Sequence, residues 1–190
     1  MRFYGKYGEC TKGLDYKNKY VKILMGIVQQ YNPSKYWRMR EFVISENSGG
    51  VLNKVIKYWY LYRIKKMDAF NNASMGTNIG FGAVFDGIPH FPHGLYGIIV
   101  TPYAKIGKEV RIFHQVTIGD DGRGKENAPI IHDNVFIYPG AKVVGKCEIG
   151  EGAIIGANAV VSFDVPPYAI VTAPKPTVHI KEKADNEVHI

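Results

Sequence analysis

The chain has 190 residues, 46% of them hydrophobic and 22% charged, enough to bury the core of one large domain or two small ones. Its charge is divided: residues 1–72 hold 14 Lys/Arg against 5 Asp/Glu, a net +9, and residues 73–190 hold 10 against 12, a net −2. Cys10 and Cys147 lack metal-type spacing and exclude a disulfide framework, the apolar run "ILMGIV" is too short to span a membrane, and the N-terminal "MRFYGKYGECTKG" lacks a signal-peptide core.

A reduced, cytoplasmic protein is the expectation. The basic first part is open to nucleic acid, a membrane surface or acidic ligands, although charge runs of this kind usually form a solvated helical face. Nucleic acid is not an expected partner; peripheral contact with a membrane surface through the basic region stays open. In chain order, "LDYKNKYVKILMGIVQQY" places Tyr20, Ile23, Leu24, Ile27 and Val28 at helical spacing. Asn32-Pro33 reads as an N-cap followed by proline at the first helical position, opening "PSKYWRMREFVIS". Ser48-Gly49-Gly50 is a breaker, and "VLNKVIKYWYLYRIKKMDAF" reads as a third helix with a mixed aromatic and basic surface.

From residue 73 the period changes to six. Aliphatic residues fall at Ile131, Ile137, Val143, Ile149, Ile155 and Val161, with smaller residues four places later at Val135, Ala141, Cys147, Ala153, Ala159 and Val165. A second run, one residue out of phase, gives Val100, Ile106, Ile112 and Ile118, and a shorter one gives Ala73, Ile79 and Phe85. On an α-helix a six-residue step turns about 240°, so these residues could not share a face. Short strands joined by tight turns accommodate the step, with glycine and asparagine at the turns. Three strands make a triangular coil of about 18 residues, and stacked coils form a parallel β-solenoid with the aliphatics inside.

The segments "PHG…GIIV", "AKIGKEVRIFHQVTIG", "APIIHDNVFIYPGAKVVGKCEIGEGAIIGANAVV" and "DVPPYAIV" resemble the hexapeptide-repeat acyltransferases. Within them the likeness is to serine acetyltransferases and the O-acetyltransferases of bacterial surface polysaccharides. The resemblance implies a mainly β fold, a left-handed parallel β-helix over 73–177, preceded by an α-helical region over 1–72 and followed by a tail over 178–190. It also implies a homotrimer with the active groove between neighbouring solenoids, acetyl-coenzyme A as donor and no metal.

A solenoid core is sealed, so chemistry belongs at loops that interrupt the coil. Phe85 to Gly94 takes nine residues where six would keep phase, and Ile118 to Ile131 takes thirteen instead of twelve. Acetyl transfer from a thioester to a hydroxyl needs a base near neutral pH, which an imidazole supplies. By resemblance His93 is that base. His90 is its understudy or a substrate contact, and His114, standing where serine acetyltransferases have glutamine, lines the groove. His132 reads as turn surface, and His179 and His189 lie in the tail. The base needs a partner to fix its tautomer: Asn72 aligns with the family's aspartate, and Asp86 offers an alternative carboxylate. For the pantetheine arm the matching positions are Pro139, Gly140, Ala157 and Asn158. Proline has no amide to offer. Lys142 and Lys175 are candidate phosphate partners.

The acceptor is read from departures. Serine acetyltransferases have an Arg-His pair where this chain has Asn127-Ala128, and an aspartate where it has Pro92. Losing groups that would pair with a zwitterion favours a neutral sugar hydroxyl of a capsular or other surface polysaccharide, with serine the alternative. Ile190 matches the terminal isoleucine by which serine acetyltransferases dock a sulfhydrylase. The remote alternative is a zinc carbonic anhydrase of the same fold, using His90, His93 and His114, although their spacing does not match that pattern.

Overall fold

The computed structural model describes residues 19–28, 30–46 and 50–179; Cys10, the Ser48-Gly49 part of the breaker, His189 and Ile190 lie outside them. From residue 74 the chain winds through three parallel walls. The first wall holds Ser74–Met75, Ile99–Val100, Thr117–Gly119, Lys142–Val144 and Val160–Val161. The second holds Val84–Phe85, Lys105–Ile106, Ile130–Ile131 and Glu148–Ile149, extended by a bridge to Val165. The third begins with a bridge at His90 and continues through Arg111–Ile112, Phe136–Ile137, Ile154–Ile155 and Ile170–Val171. This is the predicted triangular solenoid.

Each two-residue strand points one side chain out and one in. The inward residues Val100, Ile106, Ile112, Ile118, Ile131, Ile137, Val143, Ile149, Ile155 and Val161 are all buried, as are the corner residues Val135, Ala141, Cys147, Ala153, Ala159 and Val165. Every fully buried aliphatic contributes roughly 1.5–3 kcal/mol relative to exposure, and the period repeats that gain coil after coil. Cys147 is a corner filler, and burial pushes its thiol up to about 11, so it is an inert core group.

The run Ala73, Ile79, Phe85 does not behave this way. Thr77–Asn78 and Phe81–Gly82 form an antiparallel hairpin, and Ile79 at its tip is exposed. The first coil departs from the pattern because a side chain from the helical region occupies it.

That region has three helices: α1 (Lys19–Val28), α2 (Pro33–Ile44) and α3 (Val51–Phe70). Asn32 caps α2 as expected, its side chain accepting from the Lys35 N–H at 3.0 Å with Pro33 at the first helical position. Arg40 of α2 is buried against the rings of Trp37 and Phe85, which pack on each other, 5.4 and 4.7 Å from their centroids. Its Nε donates to Thr77 Oγ1 at 3.2 Å, and its Nη2 donates to the Met75 and Ala83 carbonyls at 3.2 and 2.5 Å. The Gly80 N–H adds a bond to the Val43 carbonyl at 3.0 Å. Helix and hairpin thus close the open end of the solenoid, and one buried cluster runs from Tyr31 to Val165. The aromatic residues divide: Tyr36 and Trp37 are buried in this joint, whereas Tyr58, Trp59 and Tyr62 are exposed. So are Tyr20, Ile23, Leu24, Ile27 and Val28, the residues at helical spacing in α1.

Asp68 of α3 accepts from the Tyr36 hydroxyl at 2.7 Å on Oδ1, while its buried Oδ2 has no partner among the described residues. Burial raises the carboxyl to about 6 from the ordinary 3.8, against the lowering effect of the Tyr36 hydroxyl. Since the folded chain holds this proton more tightly, the group's stabilisation is full below about pH 4 and is lost as pH rises through about 6. Asp68→Asn keeps an acceptor for Tyr36 and removes the charge. It is expected to raise unfolding stability at pH 7 by about 1–3 kcal/mol, with the gain vanishing near pH 4. Thermal unfolding of both proteins at the two pH values measures this; a loss at pH 7 would refute it.

Candidate active site

The corner where the third wall turns into the first forms a continuous edge. The matching turn residues there have a left-handed backbone, Gly97, Gln115, Gly140 and Asn158, with φ of 67°, 60°, 73° and 57°, and the lengthened first turn adds Gly94 at 70°. Gly140 suits its position, since side chains rarely adopt a φ of 73° and an added Cβ would displace the tip of the Asn158 side chain, 2.1 Å away at Oδ1. The amides of these residues are used between coils: Gly97 donates to the Asn71 carbonyl, Gln115 to Tyr96, Gly140 to His114 and Asn158 to Pro139.

His93 and His114 stand on this edge. Their Nδ1 atoms are 2.7 Å apart and their ring centroids 4.8 Å, so one ring N–H donates to the other ring's nitrogen. Gly97 and Gln115, the matching turn residues of the two coils, are 18 residues apart, and His114 is in register with Tyr96. The lengthened turn of 91–97 carries His93 out to meet it. His93 is exposed and also sets its edge against Phe113, 5.7 Å between centroids at 88°. Phe113 stacks on Tyr138 at 5.0 Å and 7°. The pair forms an aromatic ledge on the third wall beside the histidines. Sequence reasoning missed it, although each residue directly follows an inward slot, Ile112 or Ile137.

The other expected residues separate. Asn72 lies on the same edge one coil earlier, with a left-handed φ of 49°. Asp86 lies on a different edge, between the second and third walls, where its N–H donates to the Ile106 carbonyl. No hydrogen bond or ion pair joins either to His93 among the described residues, and the ring that meets His93 is His114. His90 is turned to Glu109, its Nε2 2.9 Å from Oε2. The three histidines of the zinc alternative therefore do not converge, and among the described residues no three His, Cys, Asp or Glu are grouped to hold a metal. His132 faces Glu148 at 3.5 Å on a turn.

Pro139, Gly140, Ala157 and Asn158 continue the edge upward from His114. The Pro139 carbonyl already accepts from Asn158, and the Gly140 amide is committed to His114. What these positions offer a chain-like ligand is chiefly a low-relief surface. Lys142 is tied down: Nζ donates to the Gln115 and Gly140 carbonyls at 2.8 and 3.0 Å, bracing the edge. Lys175 is exposed in the segment following Val171.

The loop of residues 120–129 leaves from the edge between the first and second walls. It is internally fixed. Asp120 accepts from the Thr101 hydroxyl and from the Gly122 N–H at 2.9 Å, bonds that hold its carboxyl below the usual range. Asn127 donates to Asp121 Oδ1 at 3.1 Å.

Comparison with known proteins agrees with this architecture. The bacterial transferase hexapeptide family (six repeats) matches residues 128–162, a repeat that fits the left-handed β-helix. The serine acetyltransferase of Mycobacterium tuberculosis is 41% identical over 103 residues, 54% of this chain and 44% of that protein. The Neisseria gonorrhoeae serine acetyltransferase in complex with serine superposes with a TM-score of 0.50 at 32% identity, covering 65% of this chain and 48% of that one. A serine acetyltransferase in complex with CoA gives 0.55 at 25% identity, covering 82% and 60%. The chain spans about half the length of the curated relatives it matches. No helix among the described residues is long and apolar enough to cross a membrane. The chain is a hexapeptide-repeat protein that resembles the serine acetyltransferases.

Proposed function

We propose that the chain is an O-acetyltransferase that takes the acetyl group of acetyl-coenzyme A to a hydroxyl, with serine as the first acceptor to consider. The observation that carries the reading is the exposed His93–His114 pair on an edge of low relief. With the proton on His93 Nδ1 donated to His114, the His93 Nε2 lone pair is free to act as base. The acceptor oxygen attacks the thioester carbonyl carbon as its proton passes to His93 Nε2. Collapse then breaks the C–S bond, and the same proton goes to the departing thiolate. His114 fixes the tautomer, the role first assigned to Asn72 or Asp86. Pro139, Gly140, Ala157 and Asn158 support the donor's arm.

The relatives name serine, and none of those compared above names a glycan, so the polysaccharide acceptor moves to second place. One observation keeps it there: Asn127 and Ala128 provide no guanidinium or imidazole for a zwitterion, and Asn127 is engaged with Asp121. The 120–129 loop lies one edge away from His93, which supports a trimer in which a neighbour's loop completes the groove. Thiol release from acetyl-coenzyme A, measured across serine, simple sugars and capsular oligosaccharides, separates the readings. Serine turnover well above sugars supports the first; the reverse order installs the second; no turnover with any hydroxyl removes both.

His114→Ala is expected to lower kcat about 10–100-fold with little change in KM for acetyl-coenzyme A, since it orients the base and holds no donor. His114→Gln, which can still accept from His93, recovers part of the loss. An unchanged kcat in His114→Ala would return the positioning role to Asn72.

A further inference from the structure

We propose that the outward faces of α1 and α3 form a docking surface for an anionic lipid membrane. Helix α3 has two opposed faces. Lys57, Ile64 and Asp68 are buried against the protein. On the opposite side Val51, Leu52, Val55, Tyr58, Trp59 and Tyr62 repeat at helical spacing, and each is more than half exposed, from 55% for Trp59 to 79% for Val51. Helix α1 adds Tyr20, Ile23, Leu24, Ile27 and Val28, between 52% and 79% exposed. The two stripes adjoin: Ile27, Trp59 and Tyr62 line one cleft of about 490 Å³ together with Lys35, Arg63 and Lys66.

A contiguous apolar face of this extent marks an interaction site, and its charge selects the occupant. Lys54, Arg63, Lys65 and Lys66 lie along α3, whose single acidic residue is the buried Asp68; α1 has no acidic residue. Pairing this face with its own copy would oppose cations without an intervening carboxylate. An anionic bilayer surface satisfies both parts of the pattern: aliphatics enter the acyl boundary, Tyr and Trp lie at headgroup level, and Lys and Arg meet the phosphates. Neither helix spans a bilayer, so the helices lie in the interface plane. None of these residues belongs to the His93 edge.

Flotation of the full chain with phosphatidylcholine vesicles, with and without phosphatidylglycerol, is the test. Binding is expected only with the anionic lipid, weakened by high salt. Because Trp37 is buried and Trp59 exposed and the chain has two tryptophans, a blue shift of emission on binding reports Trp59. Trp59→Phe should lose the shift while still floating. The double variant Trp59→Ser/Tyr62→Ser, and separately Arg63→Gln/Lys66→Gln, should weaken binding about tenfold or more with unchanged circular dichroism. Three results would overturn the proposal: no flotation with anionic vesicles, equal flotation with neutral ones, or lipid-free self-association by light scattering that Trp59→Ser/Tyr62→Ser abolishes. The last would assign the face to a second copy of the chain.

Discussion

His93→Ala should lower the acetyl transfer rate by about 10²–10⁴-fold, the range for loss of a positioned general base. The ring is exposed on the solenoid's edge and contributes nothing to the aliphatic column, so melting temperature and far-ultraviolet circular dichroism should match the parent protein. Coenzyme A affinity should also persist, because the surface assigned to its arm lies in later coils at Pro139, Gly140, Ala157 and Asn158. The discriminating measurement is thiol release at saturating donor beside calorimetric coenzyme A binding. A variant retaining a tenth or more of the parent rate would exclude His93 as the base, and His90→Ala, altering a ring paired with Glu109, should have little effect in the same assay. The contrast matters because the two rings are three residues apart in sequence yet engage different partners.

That separation shows where sequence reasoning reaches and where it stops. The column from Val100 to Val161 was legible because every inward slot has the same requirement, one aliphatic side chain of matched volume, and the requirement recurs at a fixed step. The motif singles out His93 as the candidate base. The ring it meets is not legible in the same way, because His114 reaches it only through the extra length of the 91–97 turn, and sequence register sets His114 beside Tyr96. The same limit explains Ile79. It keeps the six-residue step, but the hairpin around it is organised by Arg40, more than thirty residues upstream, and a periodic count has no access to such a partner. For α1 the spacing of Tyr20, Ile23, Leu24, Ile27 and Val28 correctly gave a helix with an apolar face. Periodicity states that a face is apolar without stating what covers it, and here this chain's own described residues leave it open.

Arg40→Ala is expected to cost about 3–5 kcal/mol of unfolding free energy, the largest stability effect of any single change considered. Removal takes the donor from Thr77 Oγ1 and from the Met75 and Ala83 carbonyls, and it opens a cavity beside the packed rings of Trp37 and Phe85. Burial lowers the guanidinium to about 10, still well above neutral pH, so the native joint contains a buried cation whose hydrogen bonds offset its desolvation. Arg40→Lys retains the charge without the planar fork, so it should recover only part of the loss. Arg40→Met fills the volume without any donor; if it proves as stable as the parent, packing alone holds the joint. Urea unfolding at neutral pH ranks the variants. A cost below about 1 kcal/mol for alanine would mean that hairpin and helix are held by other contacts. Arg40 lies away from the His93 edge, so the transfer rate per folded Arg40→Ala molecule should stay far closer to the parent than that of His93→Ala. Comparable losses of rate would show instead that the first coil, through the pairing of Ser74–Met75 with Ile99–Val100, sets the position of the turn that carries His93.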